Sequence, residues 1–348
     1  RDREALARKH GCTNEPFDLL QQVGADVGGA ISLLRAEESP SDGVATAVTV
    51  TDEMIALMIT QQSRDLPPSN PGFGGRMSLA GYQAKFSLAR TADGWQTPTA
   101  VIPSTHIFKP PLVDHPNIHR LEAATLELAR RCGLAAARAR VVAFGGQECF
   151  VTTRFDRTLA FGSVERVHME DCAQAIGRDR KHKYDVTARD IVDLLRRQAP
   201  DQVMRFVEQL AFNVHVGNAD AHAKNYSILL DGQSPRLAPL YDSLPLQLFS
   251  QYQQNLAMHI GNASVAAAVT NTHWQQWAKR CNLDPDEVTA TVSRIANGIQ
   301  EHAPAVYGQQ GIPRPDIHRI MRASKNIIAP GSRVTITPPW HRNDGISL

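Results

Sequence analysis

The feature that most constrains this chain is a junction near its middle. In residues 201–216, "DQVMRFVEQLAFNVHV", the side chains of Val203, Phe206, Val207, Leu210 and Val214 recur on one helical face, as in a helix anchored in a core. Polar residues follow at once in "GNADAHAKN", residues 217–225, and then comes the apolar run "YSILL". Asp231-Gly232 turns that run into a hairpin whose second strand, "PRLAPLY", delivers Asp242. Asp220, His222, Lys224 and Asn225 are thus wedged between a core helix and a core hairpin, where charged groups need partners or a task.

The spacing suggests a task. Asp220 and Asn225 are five residues apart, and Asp242 lies seventeen further on. Phosphoryl transfer to a hydroxyl asks a protein for a carboxylate base, oxygen ligands for Mg²⁺ and a cation on the phosphates. Protein kinases set the base and the amide ligand at D-x-x-x-x-N and bring a second Mg²⁺-binding Asp from the end of a following hairpin. Asp220, Asn225 and Asp242 match that order. On these residues alone a second reading stands beside it, in which Asp220 and Asn225 close a turn and Asp242 opens the next loop.

A kinase reading needs a strand lysine and a carboxylate to hold it. In "STHIFKPP" alternation places Thr105, Ile107 and Lys109 on one face and His106 and Phe108 on the other. The helix that follows is capped at Asn117, lined by Leu121, Ala124, Leu128 and Cys132, and closed by Gly133. It supplies Glu122 as the candidate partner of Lys109; an acidic residue near a helix start also suits the helix dipole. No G-x-G-x-x-G or Walker loop is present. The candidate phosphate cover is "RMSLAGYQAK", residues 76–85, whose small Ser78, Ala80 and Gly81 let backbone N–H groups near an anion.

Composition narrows the classes. A net charge of +2 over 348 residues gives no basis for nucleic-acid binding through overall basicity. The five cysteines are scattered, odd in number and without C-x-x-C spacing, as expected in a reducing cytoplasm. No apolar run is long enough to span a bilayer. Along the chain, strand-like runs dominate to about 153, including "AKFSLAR" turning at Asp93-Gly94 and "ARVVAFGGQECFVTTRF" folded at Gly145-Gly146. A Pro- and Gly-rich stretch, "DLPPSNPGFGGR", precedes them. Helical patterns follow at 187–198, 201–216, 272–281, 285–302 and 315–324, with "YSILL" and "PRLAPLY" as the strands among them. The expected fold is α+β and bilobal, like a protein kinase. It divides into a sheet-rich N-lobe at 1–153, a helical C-lobe at 154–330 and a tail at 331–348.

Taken in order, "MSLAGYQAK", "STHIFKP", "RFDR", "HMEDCAQAIG", "KYD", "NADAHAKNYSIL" and "LAPLYD" resemble the HipA family of bacterial serine/threonine kinase toxins. The resemblance runs from about Phe17 to beyond "LAMHIG" near 261. It implies a two-lobed kinase that uses ATP and Mg²⁺ and phosphorylates an aminoacyl-tRNA synthetase. It also implies inhibition by a small helix-turn-helix antitoxin, with DNA reached only through that partner. By position, Asp220 resembles the base, Asn225 and Asp242 the Mg²⁺ ligands, and Lys109 the phosphate lysine held by Glu122. His222 and Tyr241 fall where the family's pocket meets nucleotide, Ser78 and Leu79 in its phosphate-covering loop, and Thr153 and Phe155 in the segment that holds adenine. Ser78 matches the serine these kinases autophosphorylate; a phosphate there adds about two negative charges beside a site that must admit ATP.

The chain departs from the family at Ala84, Thr153 and Ala221, where an acidic residue, Glu and Gly are common. The family's leading subdomain is mostly missing from the match, which implies that it lies upstream of Arg1 or on a separate chain. Two other classes compete. The D-x-H-x-x-N form of Asp220, His222 and Asn225 also resembles small-molecule and lipid kinases, and a mainly non-catalytic co-repressor partner of a DNA-binding antitoxin is the third.

Overall fold

The computed structural model describes residues 3–39, 47–63, 84–115, 117–160, 163–232 and 234–327. Their first half is organised by an antiparallel sheet of β1 (Thr49–Val50), β2 (Phe86–Thr91), β3 (Gly94–Gln96), β4 (His106–Lys109), β5 (Ala139–Phe144) and β6 (Gln147–Thr153), in the order β1-β3-β2-β4-β6-β5. The β5–β6 hairpin closes where the sequence places its turn. Gly145 and Gly146 have φ of 51° and 80°, a pair of left-handed residues that glycine supplies with no steric cost.

Alternation along β4 sorts its side chains as expected. Phe108 turns to one face, where it stacks on Phe86 at 4.8 Å and packs with Trp95, Phe144 and the helix Asp52–Ser63 through Ile55 and Ile59. Lys109 turns to the other face, opposite Phe150 of β6. That second face meets the helix Ile118–Arg131, which buries Leu121, Ala124 and Leu128. The same helix also packs on the long helix Pro285–Gln309 through Ile295, Ile299 and Tyr307, and Thr125 Oγ1 lies 2.9 Å from the Tyr307 hydroxyl. Glu122 therefore rides on a helix held from both sides.

The second half is mostly helical, with Ala188–Gln198, Val203–Val216, Asn271–Arg280, Pro285–Gln309 and Arg314–Ile320. Its core gathers Ile191, Leu195, Phe206, Leu210, Tyr226, Trp274 and Val292. The overall class is mixed α+β, a kinase-like fold with a curled antiparallel sheet. Among the described residues no helix is long and apolar enough to cross a membrane.

Several local expectations change. "HMED" forms the strand His168–Asp171 and pairs with the strand Ser227–Leu230, so the hairpin from there to Arg236–Leu237 gains a third strand. Two ribbons, Arg157–Ala160 with Ser163–Arg166 and Asn255–Ile260 with Ala263–Val265, also lie among the helices. Their strands are short and several of their side chains charged or polar, so apolar alternation does not reveal them. The helix from Pro285 runs on to Gln309 through Pro304. Asn117 sits at its predicted cap but makes no side-chain capping bond.

A buried ion-pair network ties the N-terminal segment to the strands after the sheet. Arg154 meets Asp156 at 2.7 Å and donates to Ser104 Oγ and Val27 O. Arg157 reaches Asp26, Asp156 and Gly29 O, and Arg166 meets Asp26 at 2.8 Å.

Candidate active site

At the centre, the Lys109 ammonium donates to Glu122 Oε1 and to Asp242 Oδ1, both at 2.7 Å. It also lies 5.4 Å from the centre of the Phe150 ring. Burial works against the Lys109 charge, but the carboxylates of Asp242 and Glu122 outweigh it and hold the ammonium well above the ordinary lysine range. Glu122 is pushed upward by its own burial, against the pull of Lys109. Asp242 is driven down, first by Lys109, and stays ionised.

The backbone aims Asp242. Its φ of 53° is a left-handed conformation that costs a non-glycine residue about 1 kcal/mol or more, and such strain gathers at functional sites. The approach is fixed by Leu240, whose N–H donates to Ala135 O and whose carbonyl accepts from Ala137 N, each at 2.8 Å. Behind the loop, Asn213 accepts from Ser243 Oγ and Asn218 Nδ2 and donates to the Tyr226 hydroxyl. The loop leaves its helix at Gly217, φ 75°, where a Cβ would stand 2.2 Å from Gln247 Cδ.

Asn225 Nδ2 donates to Asp242 Oδ2 at 3.1 Å, while Asn225 Oδ1 is buried with no hydrogen-bond partner. An orphaned amide oxygen beside an ionised carboxylate is a pair of hard oxygen donors. It suits Mg²⁺, which takes one or two protein ligands and fills its shell with water and phosphate. Among the described residues no cluster of three or more His, Cys, Asp or Glu could hold a metal by itself.

Asp220 stands on the rim, its side chain 47% exposed, and accepts from the Tyr184 hydroxyl at 2.7 Å. His222 Nε2 lies 2.6 Å from Lys183 Nζ. An ammonium can only donate, so that nitrogen is the acceptor and the imidazole proton resides on Nδ1. Burial lowers the His222 pKa, against the Asp220 carboxylate and together with Lys183. Lys224, from the same loop, turns away to pair with Asp171.

The remaining predicted residues are spread around this centre. The Tyr241 hydroxyl bonds Ser227 Oγ and Lys224 O, and its ring lies 5.2 Å from Phe155. Thr153 is exposed at the end of β6, with Oγ1 3.4 Å from His106 Nε2, and no contact joins it to the Lys109 cluster among the described residues. Ser78 and Leu79 lie outside the described residues. Lys85, not singled out from the sequence, sits close enough to feel Lys109, Asp242 and Glu122; burial draws its ammonium down to about 8. Tyr184 was visible only as part of "KYD", a motif that carries no hint of its contact with Asp220.

The family model for the HipA-like C-terminal domain matches residues 77–303. The chain belongs to the HipA family. This HipA-family chain is 33% identical over 300 residues to the putative kinase Y4mE of Sinorhizobium fredii (strain NBRC 101917 / NGR234), covering 82% of this chain and 70% of that protein. It is 29% identical over 320 residues to the serine/threonine-protein kinase toxin HipA of Shewanella oneidensis MR-1, covering 86% of this chain and 71% of the toxin. Its fold matches the HipA found in a solved complex of Shewanella oneidensis MR-1 HipA, HipB and operator DNA. The TM-score there is 0.73 at 21% identity, over 93% of this chain and 80% of that one. Lys109, Glu122, Asn225 and Asp242 of this HipA-family member all fall inside the matched span and meet one another in space.

Proposed function

We propose that this HipA-family chain is an ATP- and Mg²⁺-dependent serine/threonine protein kinase that acts as a growth-inhibiting toxin. The observation that carries the reading is the single ammonium of Lys109 bridging Glu122 and Asp242, next to the orphaned oxygen of Asn225. Glu122 keeps Lys109 oriented, so that an incoming triphosphate can take the place of Asp242 on the ammonium. Asn225 Oδ1 and the Asp242 carboxylate would hold Mg²⁺, which when bound neutralises charge on the β- and γ-phosphates. Asp220, exposed at the rim, orients the acceptor hydroxyl and takes its proton as the new P–O bond forms. His222 is kept neutral beside it by burial, and its Nε2 lone pair is engaged by the Lys183 ammonium, which leaves Asp220 as the proton acceptor. Lys85 adds a cation on the phosphate side.

The family relationship supports the finer parts of this reading. They are a serine of an aminoacyl-tRNA synthetase as acceptor, autophosphorylation at Ser78, a helix-turn-helix antitoxin as partner and a cytoplasmic location. Lys109, Asp220, Asn225 and Asp242 are all retained, which favours a catalyst over a pure co-repressor. The test is Asp220→Asn. Phosphate transfer from ATP, to the chain itself or to cell proteins, should fall about a hundredfold or more with the melting temperature unchanged. A variant that labels itself as fast as the parent would show that Asp220 is not the base.

A further inference from the structure

Two consecutive residues, Lys183 and Tyr184, dock on two polar side chains of the catalytic loop, His222 and Asp220. Lys183 Nζ meets His222 Nε2 at 2.6 Å, and the Tyr184 hydroxyl donates to Asp220 Oδ1 at 2.7 Å. The Tyr184 ring stands edge-on to the His222 ring at 5.3 Å, with the Lys183 ammonium 4.6 Å from its centre. The turn that carries them is closed on itself. The Asp179 side chain accepts from Lys181 N, and His182 pairs with Asp185 at 2.7 Å. Just beyond, Val186 is buried and Thr187 forms the capping box of the helix Ala188–Gln198. The hydroxyl is thus delivered to Asp220 from a braced support.

Stability does not explain the contact. The Asp220 carboxylate is half-exposed and water could satisfy it, while Tyr184 is itself 54% exposed and anchors no core. What the contact does is present a hydroxyl donor to one oxygen of the candidate base, the arrangement a serine or threonine acceptor needs. Burial and the bond to Asp220 push the Tyr184 phenol above its usual range, so it stays protonated and remains a donor.

We propose that the Tyr184 hydroxyl is an internal stand-in for the acceptor: it occupies the donor position on Asp220 Oδ1 that a substrate must take, and excludes water from it until a protein acceptor displaces it. This positioning role rests on the kinase reading above. It makes the enzyme selective for hydroxyls on a macromolecule able to shift the 179–185 turn, and poor at hydrolysing ATP in its absence.

The experiment follows phosphate release from Mg²⁺·[γ-³²P]ATP with no acceptor added, for the parent, Tyr184→Phe, Asp220→Asn and the double variant. Phenylalanine keeps the ring over His222 and removes only the hydroxyl. Tyr184→Phe should release phosphate about fivefold faster than the parent, the worth of one ordinary hydrogen bond, with KM for ATP unchanged. The double variant should fall to the level of Asp220→Asn. A Tyr184→Phe protein no faster than an active parent overturns the stand-in role alone, as does release that survives in the double variant. Parent and variants all silent in both hydrolysis and self-labelling overturn the kinase reading with it.

Discussion

Lys109 Nζ lies 2.7 Å from Glu122 Oε1 and 2.7 Å from Asp242 Oδ1, so one ammonium joins a strand, a helix and a loop that are up to 133 residues apart in the chain. Glu122 is nearly sealed from water, and only the pairing makes its charge tolerable there. Lys109→Met should therefore abolish phosphate transfer and also destabilise the fold by about 3 kcal/mol in urea titrations. Adding Glu122→Gln should restore most of the stability and none of the activity.

On the proposed kinase reading, Lys85 should give nucleotide binding a pH dependence. Its folded-state ammonium titrates at about 8, below the ordinary lysine value, because burial outweighs the attraction of Asp242 and Glu122. The stability cost of that buried charge is fully present below pH 8 and is relieved as the pH rises toward the unfolded value. Affinity for a triphosphate should fall over the same range, since it is favoured by the charged form. The Kd of a non-hydrolysable ATP analogue, followed by calorimetry, should rise above pH 8 by up to about tenfold per pH unit. Lys85→Met should bind more weakly and lose that slope.

His215 is buried with neither ring nitrogen bonded, and burial pulls its pKa down to about 3. The unfolded chain takes up this proton below about pH 6.5 while the folded one refuses it, so stability drops as the pH falls through that window. His215→Leu should flatten the acid limb of the stability profile by up to about 1.4 kcal/mol per pH unit. Chemical denaturation at pH 7 and pH 4.5 measures the difference; equal losses for parent and variant would contradict it.

Arg154 and Asp156 hold the segment near Asp26 against the strands that follow the sheet. Removing the guanidinium leaves Asp156 buried with fewer partners, and Arg154→Met should cost about 3–5 kcal/mol. Arg154→Lys should recover little, since one ammonium cannot match the fork that reaches Asp156, Ser104 and Val27 together. Denaturation midpoints of the two variants test this.

Much of the site was legible because its signals are local. The apolar face of 203–216, the polar loop after Gly217 and the hairpin ending near Asp242 are read within forty residues of chain. Alternation in β4 was enough to put Lys109 opposite Phe108. Glu122 was harder, since an acid near a helix start has a sufficient reason in the dipole. The ribbons at 157–166 and 255–265 were missed because half-solvated strands carry too little apolar pattern.

The sequence by itself determined the α+β class, the helix–loop–hairpin around Asp220 and the residue types a phosphoryl-transfer centre needs, since each is written in neighbouring positions. Only the tertiary structure decided which of those groups meet. It placed Lys109 between two carboxylates, left the Asn225 oxygen bare and set the Tyr184 hydroxyl on Asp220. Contacts between residues dozens of positions apart depend on how helices and sheet pack, and no periodicity in the chain encodes that geometry.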